Sequence, residues 1–86
     1  MSSLVSNTVL YKELLEYIVT KLVEKPEVVT INTIDTPDKS IIEILVAAHD
    51  IARVIGKEGR TFKALRMLVQ VIDPHAYKDV VVDIVQ

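Results

Sequence analysis

The sequence predicts a single two-layer α+β domain with the element order α-β-β-α-α-β, in which a three-stranded sheet packs on helices. Two long segments repeat apolar residues at helical spacing, three segments are rich in β-branched residues, and turn or cap residues separate them. A chain of 86 residues, half of them apolar and about a quarter charged, fits one globular domain over residues 1–86.

The first predicted helix covers residues 8–24. Its apolar residues recur every four positions, at Leu10, Leu14, Ile18 and Leu22. Ser6, Asn7 or Thr8 is available as an N-cap, and Pro26 stops the helix.

A β-hairpin follows. Residues 28–34 and 40–47 are rich in β-branched residues, and Thr36-Pro37-Asp38-Lys39 between them has the composition of a turn. In the second strand the apolar residues Ile42, Ile44 and Val46 alternate with the others, so we expect this face to cover the helices.

The second half of the chain predicts a short helix, a longer helix and a last strand. Asp50 is available to cap the short helix over 51–55, and the longer helix covers about 60–72. Asp73-Pro74-His75 ends it, and residues 80–85 alternate as a strand. We expect the longer helix to pack through one shared face, formed by Phe62, Leu65, Leu68, Val69 and Ile72.

Both glycines of the chain lie in one turn, residues 56–59, which we call the glycine loop. It reads Gly56-Lys57-Glu58-Gly59 and joins the two predicted helices. Glycine is needed where the backbone adopts positive φ or closely approaches another group. Because a glycine turn between helices also occurs for purely structural reasons, the tetrapeptide alone is weak evidence.

The distribution of charge suggests that the glycine loop is an anion-binding site. The net charge is −2, which by itself argues against nucleic acid. Residues 51–72 nevertheless hold only Glu58 as an acid, against the cations Arg53, Lys57, Arg60, Lys63 and Arg66. The loop N–H groups near the start of the second helix would stabilise a phosphate, and the cations would extend that surface along a polynucleotide.

With the element order and Val54-Ile55-Gly56-Lys57-Glu58-Gly59-Arg60 between paired helices, the chain resembles a type II KH domain. Over nearly its whole length it is similar to the small bacterial single-KH proteins of the KhpA type. The segments that carry this resemblance are residues 13–19, the paired strands ending near Val46, the run from Asp50 through Arg60, and residues 63–66.

The resemblance implies an RNA-binding protein, a proposed RNA chaperone, whose GXXG loop clamps about four backbone nucleotides of a single strand. Gly56, Lys57, Glu58 and Gly59 would grip the backbone. Val54 and Ile55 would border an aliphatic groove for bases, with one of the two facing the core. Arg53, Arg60, Lys63 and Arg66 complete the expected RNA-binding set, although Lys63 and Arg66 are equally explained as solvated surface.

The resemblance also implies partners. Proteins of this type pair with themselves or with a larger KH-containing RNA-binding protein in Gram-positive bacteria, where the pair is linked to envelope synthesis and cell shape. Apolar residues beyond one helical stripe favour a dimer here, namely Leu15, Val19, Val23, Met67 and Val71. Two departures from the family are Ala52, where a glycine is usual, and the acidic Glu58, which favours a modest affinity.

Composition and motifs argue against other classes. The chain has no cysteine, no Walker A frame around Gly56-Lys57, and no third ligand at metal-site spacing from His49 or His75. We therefore expect a non-enzymatic, cytoplasmic protein with no cofactor, metal, small-molecule substrate or membrane association. Phe62 and the tyrosines are expected in the core rather than as stacking platforms.

Two alternatives remain open at this level. One is a protein-docking adaptor with weak or no independent RNA binding, which the acidic overall charge and Glu58 favour slightly. The other is a helix-turn-helix reader of duplex DNA, which the two glycines and the strands fit poorly.

Overall fold

The computed structural model describes residues 7–72 and 79–86, and the side chains from residue 9 onward. The element order is the predicted one, and the α+β class is confirmed. The elements are α1 (Asn7–Leu22), β1 (Thr30–Asp35), β2 (Lys39–Leu45), α2 (Ile51–Ile55), α3 (Arg60–Ile72) and β3 (Asp79–Ile84). Short 3-10 turns lie at Pro26–Val28, Ala48–Asp50 and Lys57–Gly59.

The sheet is mixed, with the strand order β1-β2-β3. β1 and β2 pair antiparallel as the predicted hairpin, whereas β2 and β3 pair parallel. Thr36 closes the hairpin turn, because its N–H donates to the carbonyl of Lys39 at 2.8 Å and its Oγ1 accepts the N–H of Lys39 at 3.1 Å. The parallel pairing requires the connection through α2 and α3, and that connection carries the glycine loop.

One face of the sheet supplies the strand half of the core. Ile31, Ile42 and Ile44 are at most 1% exposed, and Val82 and Ile84 of β3 complete this face. Because side chains alternate along a strand, the residues between them form the opposite face. The predicted apolar face of the second strand is thus confirmed for Ile42 and Ile44, while Val46 is half-buried beyond the strand end.

The buried stripe of α1 is shifted by one position along the helix from the predicted stripe. Tyr11, Leu15 and Val19 are 0–2% exposed, whereas Leu10 is 41% exposed and Leu14, Ile18 and Leu22 are half-buried. Leu15 and Val19 therefore belong to the core, and their expected role in a dimer contact is wrong. The sequence pattern did not separate the two stripes, because apolar residues occupy adjacent positions around this helix and both stripes have helical spacing.

α3 packs through most of the predicted face. Leu65 and Val69 are buried, and Phe62 and Ile72 are half-buried. Leu68 is 38% exposed and lies at the margin of this face, which corrects its assignment to the core. Met67 and Val71 are exposed, so α3 presents apolar side chains as well as cations to solvent.

The prediction that the tyrosines lie in the core is confirmed for Tyr11 and wrong for Tyr17. Tyr11 is buried in the core, but Tyr17 is exposed on α1 and Lys21 Nζ lies 5.2 Å from its ring centre. The predictions for Ser6, the helix end at Asp73-Pro74-His75 and Tyr77 fall outside the described residues. Within the described part of the chain, no helix is long and apolar enough to cross a membrane.

Candidate nucleic-acid interface

The glycine loop reverses the chain between α2 and α3 by means of left-handed backbone. Gly56 has φ 78° and ψ 172°, and Gly59 has φ 75°. The first of these conformations is accessible essentially only to glycine. A Cβ at Gly56 would also approach the backbone nitrogen of Thr61 to 2.8 Å, whereas one at Gly59 would enter open space. Gly56 is thus required for both torsion and space, and Gly59 for torsion alone.

Glu58 is a third left-handed residue, with φ 56° and ψ 25°, and the sequence pattern did not predict it. In the described chain it is the one non-glycine residue with positive φ. Such a conformation costs a non-glycine residue on the order of 1 kcal/mol. Strained backbone of this kind clusters at ligand-binding sites, which favours a functional reading of the loop.

The loop N–H groups divide into satisfied and available donors. Gly56 donates to the carbonyl of Ala52 at 2.9 Å, Gly59 to that of Gly56 at 3.1 Å, and Arg60 to that of Lys57. The N–H groups of Lys57 and Glu58 have no acceptor among the residues that the structure describes. These two peptide groups, at the apex of the loop, are the donors that an anion could use.

The cations around the loop are not equally available. Lys57 is exposed and forms no ion pair with any described residue, whereas Arg60 Nη2 lies 3.1 Å from Glu58 Oε1. Both side chains of this ion pair are exposed, so the interaction is weak and a phosphate that binds Arg60 could displace Glu58. Lys63 is exposed on the next turn of α3, and Arg66 stacks its guanidinium 5.4 Å from the ring centre of Phe62.

A shallow groove continues from these cations along α3 toward β3. Its volume is about 530 Å³, and one of its walls is the basic side of α3. The lining residues are Lys63, Arg66, Met67, Gln70, Val80, Val81 and Val82. A charged wall facing an aliphatic strand can accommodate a chain of phosphates with attached bases, and Val80 to Val82 are lining residues that the sequence did not predict.

Val54 and Ile55 occupy different environments. Val54 is completely buried, so it is the member of the pair that faces the core, as expected for one of the two, and its place among the RNA-binding residues is wrong. Ile55 is half-buried at the end of α2. Helical rotation of about 100° per residue separates the two side chains, and sequence alone could not choose between them.

Arg53 is the least available of the expected RNA contacts. Its Nη2 lies 3.1 Å from Glu24 Oε2, and its Nε lies 3.4 Å from Asp50 Oδ1. The guanidinium remains about half exposed, but two carboxylates already balance its charge. We therefore assign Arg53 to the structural support of α2 rather than to phosphate contact.

Asp50 is the centre of that support and is not the helix cap expected from sequence. Its side chain makes no hydrogen bond to the first turn of α2. Instead Oδ1 and Oδ2 accept the N–H groups of Glu24 and Lys25, at 3.0 and 3.1 Å. This fully buried carboxylate thus joins the segment after α1 to the start of α2, and thereby holds the helix that leads into the glycine loop.

Burial raises the pKa of the Asp50 carboxyl, but the N–H groups of Glu24 and Lys25, with His49 and Arg53, lower it, and the net pKa lies below its ordinary value of 3.8. Asp50 is therefore ionised in the folded protein at neutral pH.

Glu24, His49 and Asp50 also place one potential metal-ligand atom each within 4.8 Å of one another. This cluster was not predicted from the sequence, because Glu24 comes from the segment after α1. His49 Nε2 lies 3.3 Å from Glu24 Oε1 and 3.6 Å from Asp50 Oδ2. Since backbone N–H groups and Arg53 already contact these carboxylates, an ion-pair network accounts for the arrangement without a metal.

Comparison with known proteins supports the resemblance seen in the sequence. The family model described as KhpA/KhpB, KH domain, matches residues 12–84. A protein of Clostridium perfringens named RNA-binding protein KhpA is 42% identical over 74 residues, which cover 86% of this chain and 99% of that protein.

Two further relatives carry the same name. The protein of Thermotoga maritima is 43% identical over 61 residues, covering 71% of this chain and 81% of the relative. The protein of Chlamydia trachomatis serovar D is 50% identical over 58 residues, covering 67% and 74%. Because the match to the family model includes α2, the glycine loop, α3 and all three strands, this chain belongs to the KhpA/KhpB KH-domain family.

Proposed function

We propose that this protein binds single-stranded RNA through the glycine loop and acts as an RNA chaperone or post-transcriptional regulator in the cytoplasm. The observation that carries the proposal is the loop itself. Two left-handed glycines expose the N–H groups of Lys57 and Glu58, which have no acceptor among the described residues, next to the exposed Lys57 side chain. The similarity to proteins named RNA-binding protein KhpA supports RNA as the anionic ligand.

The binding mode follows from the order of groups along the surface. The loop N–H groups and Lys57 hold one phosphate, Arg60 leaves Glu58 to hold the next, and Lys63 and Arg66 continue the path. The bases then lie against Val80, the half-buried residue of β3 on the α3 side of the groove. Because these contacts go to backbone and to apolar surface, sequence specificity is low.

Because the proposed contacts are ionic, the first test is how the RNA affinity depends on salt concentration. For a single strand, log K falls by about 0.7 per contacted phosphate for each unit of log salt. With about three phosphates engaged, raising the salt from 50 to 200 mM should weaken binding about 20-fold. Fluorescence anisotropy with a labelled RNA of about twelve nucleotides measures this change.

A duplex of the same sequence is the control for this experiment. We expect the single strand to bind more tightly, because only unpaired bases reach the strand wall of the groove. Equal binding of both forms, or an affinity that salt leaves unchanged, would contradict a single-strand clamp. Tighter binding to duplex DNA would instead favour the helix-turn-helix reading.

The second part of the proposal is a dimer, either of two copies or with a larger KH-containing RNA-binding protein. Met67 and Val71 on α3 are 64% and 73% exposed, which is unusual for large apolar side chains. We expect Met67→Lys with Val71→Lys to shift sedimentation from dimer to monomer while the fold is retained. Wild-type protein that sediments as monomer at high concentration would leave only the heterodimer.

A further inference from the structure

The face of the sheet that points away from the helices carries a pattern that the proposed RNA contacts do not explain, although Val81 at its edge also borders the groove beside α3. Strand register places its residues in rows that run across the sheet. One row is Ile34, Ile41 and Val81, and a second contains Leu45 of β2, with Val85 just beyond β3. Between them lies a row of Asn32, Glu43 and Asp83.

The two outer rows expose apolar surface. Ile34, Val81 and Val85 are 41–45% exposed, and Ile41 and Leu45 are half-buried. Within the described residues no helix lies over this face, since the helices pack on the side of Ile42 and Ile44. Aliphatic residues on three adjacent strands make this a patch rather than scattered exposure.

The middle row places two carboxylates side by side. Glu43 and Asp83 are register partners on adjacent parallel strands, and like charges in that relation destabilise a sheet. Neither carboxylate forms an ion pair with a described residue, and Asp83 Oδ1 accepts only its neighbour's N–H, that of Ile84, at 2.9 Å. We therefore expect a modest repulsion between them in the free protein, which a bound cation would relieve.

Protection of an exposed strand edge does not explain the pair. Charged residues often prevent edge strands from pairing with other chains, and Asp83 on β3 could do so. Glu43, however, lies on β2, the central strand, where no edge is exposed. A lysine in place of either residue would keep the solubility and remove the repulsion, so the two negative charges require another reason.

We propose that this face docks a basic amphipathic helix of another protein. The row spacing along a strand is two residues, about 7 Å. Side chains at i, i+4 and i+8 of a helix are spaced by about 6 Å, so aliphatic, arginine and aliphatic residues at these positions match the three rows. The arginine bridges Glu43 and Asp83, while its stem covers Ile41 and Val81.

Other occupants fit the charge less well. A second copy laid face to face would oppose its own two carboxylates to these two, which raises the repulsion. RNA and anionic lipid are repelled for the same reason. The site lies on the side of the sheet opposite the helices that hold the glycine loop, so it stands whether or not the loop binds RNA.

The test uses a synthetic alanine-based helix of about 16 residues, with leucine, arginine and leucine at successive i, i+4 positions. Amide chemical shifts of the 86-residue chain should change on β1, β2 and β3 at the open face. Glu43→Gln with Asp83→Asn should weaken binding at least tenfold. Glu13→Gln with Glu16→Gln, which removes the same charge from exposed positions on α1, should leave binding within about twofold of wild type.

Stability supplies an independent readout. Without peptide, Glu43→Gln with Asp83→Asn should raise the melting temperature by about 3 °C, because the repulsion is gone. Loss of peptide affinity together with a gain in stability supports a docking role. The proposal fails if the peptide does not bind at millimolar concentration, or if the α1 control weakens binding equally. It also fails if a peptide with glutamate for arginine binds as well, or if neutralising the pair promotes a dimer.

Discussion

Gly56→Ala should destabilise the protein by about 3 kcal/mol and remove most RNA affinity. The residue combines φ 78° with ψ 172°, a region that an L-residue avoids at a cost of about 1–3 kcal/mol. The new Cβ would also lie 2.8 Å from the backbone nitrogen of Thr61, at the first turn of α3. To relieve the overlap, the loop must move away from α3. Urea denaturation and RNA anisotropy measure the two effects.

Gly59→Ala is the matched control. Its φ of 75° is also left-handed, but a Cβ there meets no atom within 4 Å. We expect only the torsional cost of about 1–2 kcal/mol and a smaller loss of RNA affinity. If Gly59→Ala lowers stability and RNA affinity as much as Gly56→Ala does, the close approach of Gly56 to α3 is not what makes Gly56 necessary.

Asp50→Asn should lower the melting temperature by on the order of 10 °C at neutral pH. The wild-type carboxylate accepts two backbone N–H groups and lies beside Arg53 and His49, with no exposure to water. An amide can accept one of these N–H groups but presents its own NH₂ to the other. It also leaves the nearby cations without their buried counter-charge. Thermal unfolding monitored by circular dichroism gives the change.

The same substitution should change the dependence of stability on pH. The pKa of Asp50 is lower in the folded protein than its ordinary value of 3.8. Its contribution to stability is therefore complete well above pH 3.8 and is lost as the pH falls through 3.8 toward the folded value. The difference between wild type and Asp50→Asn should shrink on acidification.

Glu24→Gln is the control for both measurements. Glu24 contacts His49 and Arg53 at exposed positions and should change stability by less than about 1 kcal/mol. A constant difference between wild type and Asp50→Asn from pH 7 to pH 3 would mean that the ionised Asp50 carboxylate does not stabilise the fold.

The sequence predicted the element order and the loop because both depend on local signals. The hairpin turn at Thr36 to Lys39, the helix break at Gly56 and the β-branched strands each follow from residues close in the chain. The sequence predicted less well which side chains pack in the core. In α1 the stripes of Leu14 and Leu15 have equal helical spacing, and only the finished core shows that Leu15 is the buried one.

Contacts between distant segments could not be predicted. Asp50 resembles an N-cap by position, but its carboxylate oxygens accept the N–H groups of Glu24 and Lys25, which lie 26 and 25 residues earlier. The ion pairs of Arg53 with Glu24 and Asp50 also remove Arg53 from the expected RNA surface. The left-handed Glu58 was likewise hidden, since glutamate is not a residue that marks positive φ. The row of Glu43 and Asp83 exists only once β3 pairs with β2.

The central claim is that the glycine loop clamps RNA, and the most direct test is Lys57→Asp with Glu58→Asp. Both side chains are exposed, and aspartate tolerates the left-handed position better than glutamate, so the fold should survive. Lys12→Asp with Glu13→Asp makes the same change of charge at exposed positions on α1. Anisotropy with the twelve-nucleotide RNA should show binding by wild type and by this control, and at least a 20-fold loss for the loop variant. Equal binding by all three folded proteins would contradict the assignment of the loop.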